Sequence, residues 1–352
     1  MPSRRPAPAA VRLLVLAALV AAGCSSSGKA AAPAATSTTQ VPETTTSTQA
    51  PTTTPTTPPP PTYPLTGRPA ADAGIAGRAA VAVKIDNILD ARPQAGILAA
   101  DVVYEEFTEG VTRFIVVYHS ADAEVVGPVR SVRPADPVIV TPLGGVLGFS
   151  GGSPGAVAIA ANTPLRLVME DDLAVMYRRS GRAAPHNLYT STAGLYSRVP
   201  AEAGSPRPIA TFLTAGKSFG GPGAMPIASI GRVPAPYVTA GYDWDAGTGT
   251  WLRTTDGAPH TAEEGRIAPT TVIVQFTPYS YFIDDYSVQF PEVVGTGEAW
   301  VFAAGAMVPG TWHKASPDAV TNFVDSAGAP IAIPPGQTWV HLVAPGSSVT
   351  TG

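Results

Sequence analysis

The sequence predicts a mixed α+β and α/β fold: an N-terminal α/β domain followed by a mostly antiparallel β domain. Three observations predict it. Runs rich in Val, Ile, Tyr and Phe alternate with a helix-start signal in the first half of the head. Short strand-like runs, punctuated by Gly and Pro, fill the second half, and helical periodicity is nearly absent there. The divisions fall at 1–23 for a signal segment, 24–62 for a tether, 63–205 for the α/β domain and 206–352 for the β-rich domain.

The first segment sets the expected compartment. Arg4, Arg5 and Arg12 form a basic start before an apolar run, Leu13 to Ala22, that ends in "VAAGCSSSG". A basic start, a short apolar stretch and small residues describe a secretory signal, and the run is shorter than the ~20 residues of a membrane span. Cys24 is the only cysteine and follows Ala21-Ala22-Gly23 directly. That resembles a bacterial lipobox, whose cysteine is acylated, with Ala21 standing where the usual pattern has leucine. The plainer reading is an ordinary signal peptide cut near Ala22. Lipidation at Cys24, with palmitate-type chains, would hold the protein to the outer face of the cytoplasmic membrane. It would also leave neither disulfides nor cysteine chemistry.

From Ser25 to Thr62 the chain is Thr- and Pro-rich and almost without large apolar side chains. Nothing in it offsets the entropy of ordering, so a disordered tether is expected. In extended polyproline geometry it would reach roughly 120 Å, enough to carry a head away from the bilayer. Its Thr-Pro runs suit O-glycosylation, although an unmodified spacer fits equally.

In the first region, "AAVAVKID" (79–86), "DVVYEEF" (101–107), "TRFIVVYHS" (112–120) and "GGVLGF" (144–149) read as strands. Ser153 and Pro154 then read as the cap and first residue of a helix. In the second region, "YVTAGYDWDAGTGTWLRTTDG" reads as a hairpin around Ala246-Gly247. "TTVIVQFTPY", "YSVQFPEVVG", "GEAWVFAAGAMVPGTWHK" and "GQTWVHLV" continue the pattern toward an antiparallel sheet, a sandwich or a half-barrel. A formal net charge of −4 leaves no basic surplus for nucleic acid.

In order along the chain, "PLTGRP" (64–69), "VAVKIDN" (81–87), "ARPQAGILAADVVYEEFTEGVTRF" (91–114), "GPVRSVRP" (127–134), "GGSP" (151–154) and "APHNLYT" (184–190) resemble the YerB-like bacterial lipoproteins. "GTGEAWVFAAGAMVPGTWHK" and "PGQTWVHLV" resemble that family's second domain. The resemblance spans nearly everything after the tether. It implies the two-part architecture and the envelope location, and it implies no reaction.

The polar residues of the first region fall at strand ends and turns. Asp86, Glu105 and Glu106 end strands, Arg113 begins one, Arg130 and Arg133 lie in "GPVRSVRP", and His186 and Asn187 follow a proline. Ligands bind beyond the carboxyl ends of strands in open sheets. Guanidinium groups match carboxylate or phosphate, so Arg113, Arg130 and Arg133 with the helix start at Ser153 would form an anion clamp that also involves Asp86, His186 and Asn187. Alternatively, the arginines pair internally with Asp86, Glu105 or Glu106 and fix loops.

Catalysis has two weaker candidates. "GFSGG" (148–152) satisfies G-x-S-x-G, with Ser150 as nucleophile, His186 as base and Asp171 or Asp172 behind it. Asp86 with Glu105 would make a carboxylate pair, whereas Glu105 and Glu106 point to opposite faces of a strand. Five scattered histidines give no metal motif, and neither a metal nor a cofactor is expected. All five tryptophans fall in the second region, as core or as a binding face. The reading is therefore an extracytoplasmic binding or accessory protein with an anionic, peptide or wall ligand. The alternatives are an envelope hydrolase and a scaffold docking a membrane or wall partner through its β-rich domain.

Overall fold

A computed structural model describes residues 61–235, 238–283 and 285–352. The signal segment, Cys24 and the tether up to residue 60 lie outside the described residues. Among the described residues no helix is long and apolar enough to cross a membrane.

Five strands carry the first region: β1 (Val81–Asp86), β2 (Val102–Thr108), β3 (Val111–Tyr118), β4 (Val146–Gly148) and β5 (Arg166–Val168). β2 and β3 form a hairpin whose two turn residues, Glu109 and Gly110, both have positive φ, the geometry of a two-residue primed turn. β1 runs antiparallel to β3 and parallel to β4, and β4 is parallel to β5. Every residue of β1 is buried, as expected of a strand covered on both faces. Ser153 caps the helix Pro154–Ala161, and Pro154 takes its first turn, as the sequence predicts.

Part of the second region continues the sheet of the first. Its strands Asn322–Val324, Ala306–Lys314, Gly295–Ala303, Thr271–Phe276 and Thr338–Val343 line up in that order, and the last pairs with β2. One eleven-stranded sheet thus runs across residue 205, continuing through β3, β1, β4 and β5. The second region is mostly antiparallel, as the sequence predicts, with one exception among the described strands: Thr338–Val343 is parallel to both its neighbours, β2 and Thr271–Phe276. Parallel pairing needs a long crossover rather than a tight turn, so local turn signals could not announce it. The predicted hairpin is present as Val238–Asp245 and Thr250–Thr255, inside a separate five-stranded antiparallel sheet. Mixed and antiparallel sheets with few helices make the fold α+β.

Apolar side chains cover both faces of the large sheet. One layer includes Ala82, Ile115, Val117, Leu147 and Phe149, and the other includes Val83, Phe114, Val116 and Trp339. A third packs the small sheet through Tyr242 and Trp251 onto Val272, Val274 and Phe302. Trp251, Trp312 and Trp339 are fully buried, while Trp244 packs at a tilt against Trp251 and Trp300 meets Phe276 edge to face. The tryptophans are core, and no face of exposed indoles is formed.

Candidate functional site

The segment Gly127–Arg133 gathers the site. β4 ends opposite Val83, and from Ile85 onward the segment takes its place beside β1. Asp86 N–H donates to the Pro128 carbonyl, and Arg130 N–H donates to Lys84. On its other side, Val129 N–H donates to Leu188, which brings the His186 loop alongside. Ser150 N–H donates to the Arg130 carbonyl and Val132 N–H to Gly151, which adds the glycine-rich turn before the helix. Segments far apart in sequence therefore share one strand end.

Asp86 is the centre of this arrangement. Its Oδ1 accepts from the backbone N–H groups of Asn87 and Ile88, at 2.9 and 3.3 Å. Its Oδ2 meets His186 Nδ1 at 2.7 Å and Arg130 Nε at 3.1 Å. The Arg130 contact is an ion pair out of line for a hydrogen bond. The Asp86 side chain is 1% exposed, against 15% for His186 and 21% for Arg130. A buried acid carries two groups that reach the surface.

Beside it, Arg113 and Arg133 each donate through Nη2 to the same oxygen, Glu109 Oε2, the first at 2.6 Å. Arg133 Nη1 also donates to the Val132 carbonyl. Burial by itself would raise the Glu109 carboxyl, but the Arg133 hydrogen bond and the charges of both arginines hold it below the ordinary carboxylate value. Burial, with Arg133 and Arg130 nearby, lowers the Arg113 guanidinium. Arg113 Nε and Nη1 and Arg133 Nε are buried with no hydrogen-bond partner among the described residues.

Beneath the arginines, on the same face, Lys84 Nζ is bound to Glu106 and to Asp136 Oδ1, the latter at 2.8 Å, with all three side chains fully buried. Asp136 Oδ2 also accepts from Arg133 N–H at 2.8 Å. One ammonium cannot neutralise two carboxylates. Burial and the Asp136 charge, only partly opposed by Lys84, push Glu106 up to about 7.

Of the sequence candidates, Asp86, Arg130 and His186 are in contact, and Arg113 and Arg133 are joined next to them. Their partner is Glu109 rather than Glu105 or Glu106, which the sequence reading missed. Its signal was present: Glu-Gly between two strand-like runs marks a hairpin turn. Lys84 was also missed, although a lysine inside "VAVKID" is a charge within an otherwise apolar strand.

Other candidates are corrected by register and contact. Asp86 pairs with Arg113, and Arg113 with Glu106, so Asp86 shares a face with Glu106 and not with Glu105. The Asp86–Glu105 carboxylate pair is therefore not formed. Glu105 enters a different network on the opposite face, where Oε2 meets Arg253 Nη2 at 2.8 Å and His341 Nδ1 at 3.2 Å. There burial would raise Glu105, but Arg253 and His341 outweigh it and lower it. Tyr242, His260, Gln94 and Asn87 complete that network. The nucleophile-elbow arrangement is not assembled either. Asp86, not Asp171 or Asp172, holds His186, and Asp172 pairs with Arg198 at 2.7 Å. Ser150 Oγ lies 3.4 Å from Ser131 Oγ and has no bond to His186. Ser153 serves as the helix cap, and the Asn187 side chain accepts from Arg178 at the surface. Among the described residues no cluster of His, Cys, Asp and Glu could hold a metal.

The N-terminal domain of a protein family of unknown function (DUF3048) matches residues 65–205, and the C-terminal domain of that family matches residues 232–340. The chain belongs to the DUF3048 family. A relative from Bacillus subtilis (strain 168), named "Putative lipoprotein YerB", is 26% identical over 290 residues, covering 80% of this chain and 85% of the relative. The crystal structure of the YerB protein from Bacillus subtilis matches with a TM-score of 0.70 at 24% identity, over 83% of this chain and 99% of that one. At that identity the structural likeness carries the fold. In this DUF3048 chain the Asp86 and Glu109 clusters lie wholly within the residues that match the N-terminal domain.

Proposed function

We propose that this protein is a lipid-anchored receptor of the bacterial envelope whose head captures a phosphate or carboxylate group at Arg130, Arg113 and Arg133. One observation carries the reading. Three guanidinium groups converge on two carboxylates, Asp86 and Glu109, and three of their buried N–H-bearing nitrogens, Arg113 Nε and Nη1 and Arg133 Nε, have no partner among the described residues. Buried unpaired donors are costly, and a bound anion would satisfy them. The anchor reading is supported by Cys24 in its lipobox-like setting and by the name of the Bacillus relative.

The test is calorimetric titration of the detergent-solubilised full chain with inorganic phosphate, sulfate and acetate. Arg130→Ala should weaken binding about 10-fold or more, the scale of ~1.5–3 kcal/mol for a charge-assisted hydrogen bond, with little change in melting temperature. Arg133→Ala should lower both, because it also holds Glu109. Should the Arg130 variant bind all three anions like the parent, the clamp is refuted. Cys24→Ala should move the protein from the membrane to the soluble fraction; retention on the membrane would remove the anchor.

A further inference from the structure

We propose that Asp86 and His186 form a general-base dyad and that this site hydrolyses a phosphate ester. The inference rests on the anion-capture reading and adds a reaction to it. Asp86 Oδ2 lies 2.7 Å from His186 Nδ1 and takes that nitrogen's proton into a hydrogen bond. A carboxylate at Nδ1 fixes the tautomer, so the lone pair is on Nε2. Among the described residues His186 Nε2 has no partner, and the side chain is 15% exposed while Asp86 is buried.

The two histidines of the Glu105 network look different, and His119, which also leaves Nδ1 unpartnered, is buried and has no carboxylate on its ring among the described residues. His341 uses Nδ1 toward Glu105 and Nε2 toward the Tyr242 hydroxyl. His260 uses Nδ1 toward Arg253 and Thr255 and Nε2 toward Gln94. Both are nearly inaccessible and fully occupied. His186 instead keeps one nitrogen free beside a guanidinium anchored on the same carboxylate oxygen. The Arg130 Nη groups likewise have no partner among the described residues, and the side chain is 21% exposed. A base and a planar fork of donors thus stand side by side at the surface, held from below by one acid. Arg113 and Arg133 add positive potential behind them.

That is the equipment of phosphoryl transfer to water. Arg130 holds the non-bridging oxygens and stabilises the charge that gathers there. His186 Nε2 takes a proton from a water molecule as its oxygen bonds to phosphorus, and the bond from phosphorus to the ester oxygen breaks. The departing alkoxide, on the far side of phosphorus, takes a proton from solvent water, and the imidazolium, stabilised by Asp86, returns its proton to solvent. Ester and water give alcohol and phosphate, with no other reactant. His186 is the catalytic residue and Asp86 its positioning residue. Water is the nucleophile because Ser150 is turned to Ser131.

The experiment measures p-nitrophenolate release from p-nitrophenyl phosphate and bis(p-nitrophenyl) phosphate by the full chain in detergent, alongside calorimetric binding of inorganic phosphate. Turnover is expected, and His186→Ala should reduce it at least ~100-fold while phosphate binding changes only a few-fold. Asp86→Asn should lower kcat and leave KM within a few-fold, a split that simple loosening of the loop would not give. His186→Gln, a milder surface change, should be as inactive as His186→Ala. If the parent binds phosphate but releases no p-nitrophenolate, or if both His186 variants keep the parent rate, the dyad is overturned while anion capture stands. If phosphate neither binds nor turns over, both readings fall together.

Discussion

Glu106 shows how one proton couples stability to the candidate site. In the folded protein it holds its proton up to about 7, whereas an ordinary glutamate releases it near 4.5. Between those values the Glu106 site binds more proton in the native state than in the unfolded chain, so its own contribution to stability is lost as pH rises from about 5 to 8. The span corresponds to ~3 kcal/mol. Above about 6.5, where the buried histidines no longer contribute, melting temperature should fall with pH, and Glu106→Gln should flatten that fall. His341 and His260 act with the opposite sign, in a window that overlaps that of Glu106 below about 6.5. Burial, reinforced by Arg253, lowers them to about 4 and about 2. The unfolded chain therefore gains protons below about 6.5 that the native state refuses, and the Gln variant should keep that loss of stability in acid. The Glu106 proton also changes the field at the arginines. Lys84, Arg113, Arg130 and Arg133 face Asp86, Glu106, Glu109 and Asp136, with His186 at the rim. Sulfate, which does not itself titrate in this range, should bind more weakly as pH climbs through about 7. A flat profile would show that Glu106 does not reach the clamp.

Individual elements were largely legible because their signals are local. Each of β1 to β4 lies within two residues of the run that predicts it, and the helix begins at the Ser153-Pro154 signal. Alternation placed Glu105 and Glu106 on opposite faces, and the structure puts them into separate networks with Arg253 and with Lys84. The hairpin turn illustrates the limit. Glu109-Gly110 was readable as a turn, yet nothing local says that Glu109 meets Arg133, 24 residues onward. That contact depends on the Gly127–Arg133 segment replacing β4 beside β1. His186 is a similar case: its distance of 100 residues from Asp86 hid their pairing.

At the scale of the whole molecule, the two regions share one sheet. Thr338–Val343 lies between β2 and Thr271–Phe276, and Glu105 of the first region is neutralised by Arg253 of the second, with His341 Nδ1 beside the same oxygen. Expressed separately, residues 63–205 and 206–352 should each lack cooperative unfolding, because each half exposes a long unpaired strand and a buried charge without its partner. Mixing the halves should restore a single transition in circular dichroism. Cooperative folding of either half alone would contradict this account of the interface.

The sequence by itself determined the strand content, the helix cap, the opposed faces of Glu105 and Glu106, and the family resemblance. These rest on periodicity, turn chemistry and short strings of residues, all readable along the chain. Only the tertiary structure decided that Asp86 holds both His186 and Arg130, that Glu109 binds two arginines, and that the last long strand enters the middle of the sheet. Those facts depend on which distant segments are brought side by side. That is settled by burial of apolar faces across the whole head, while the charged groups find partners wherever the packing places them.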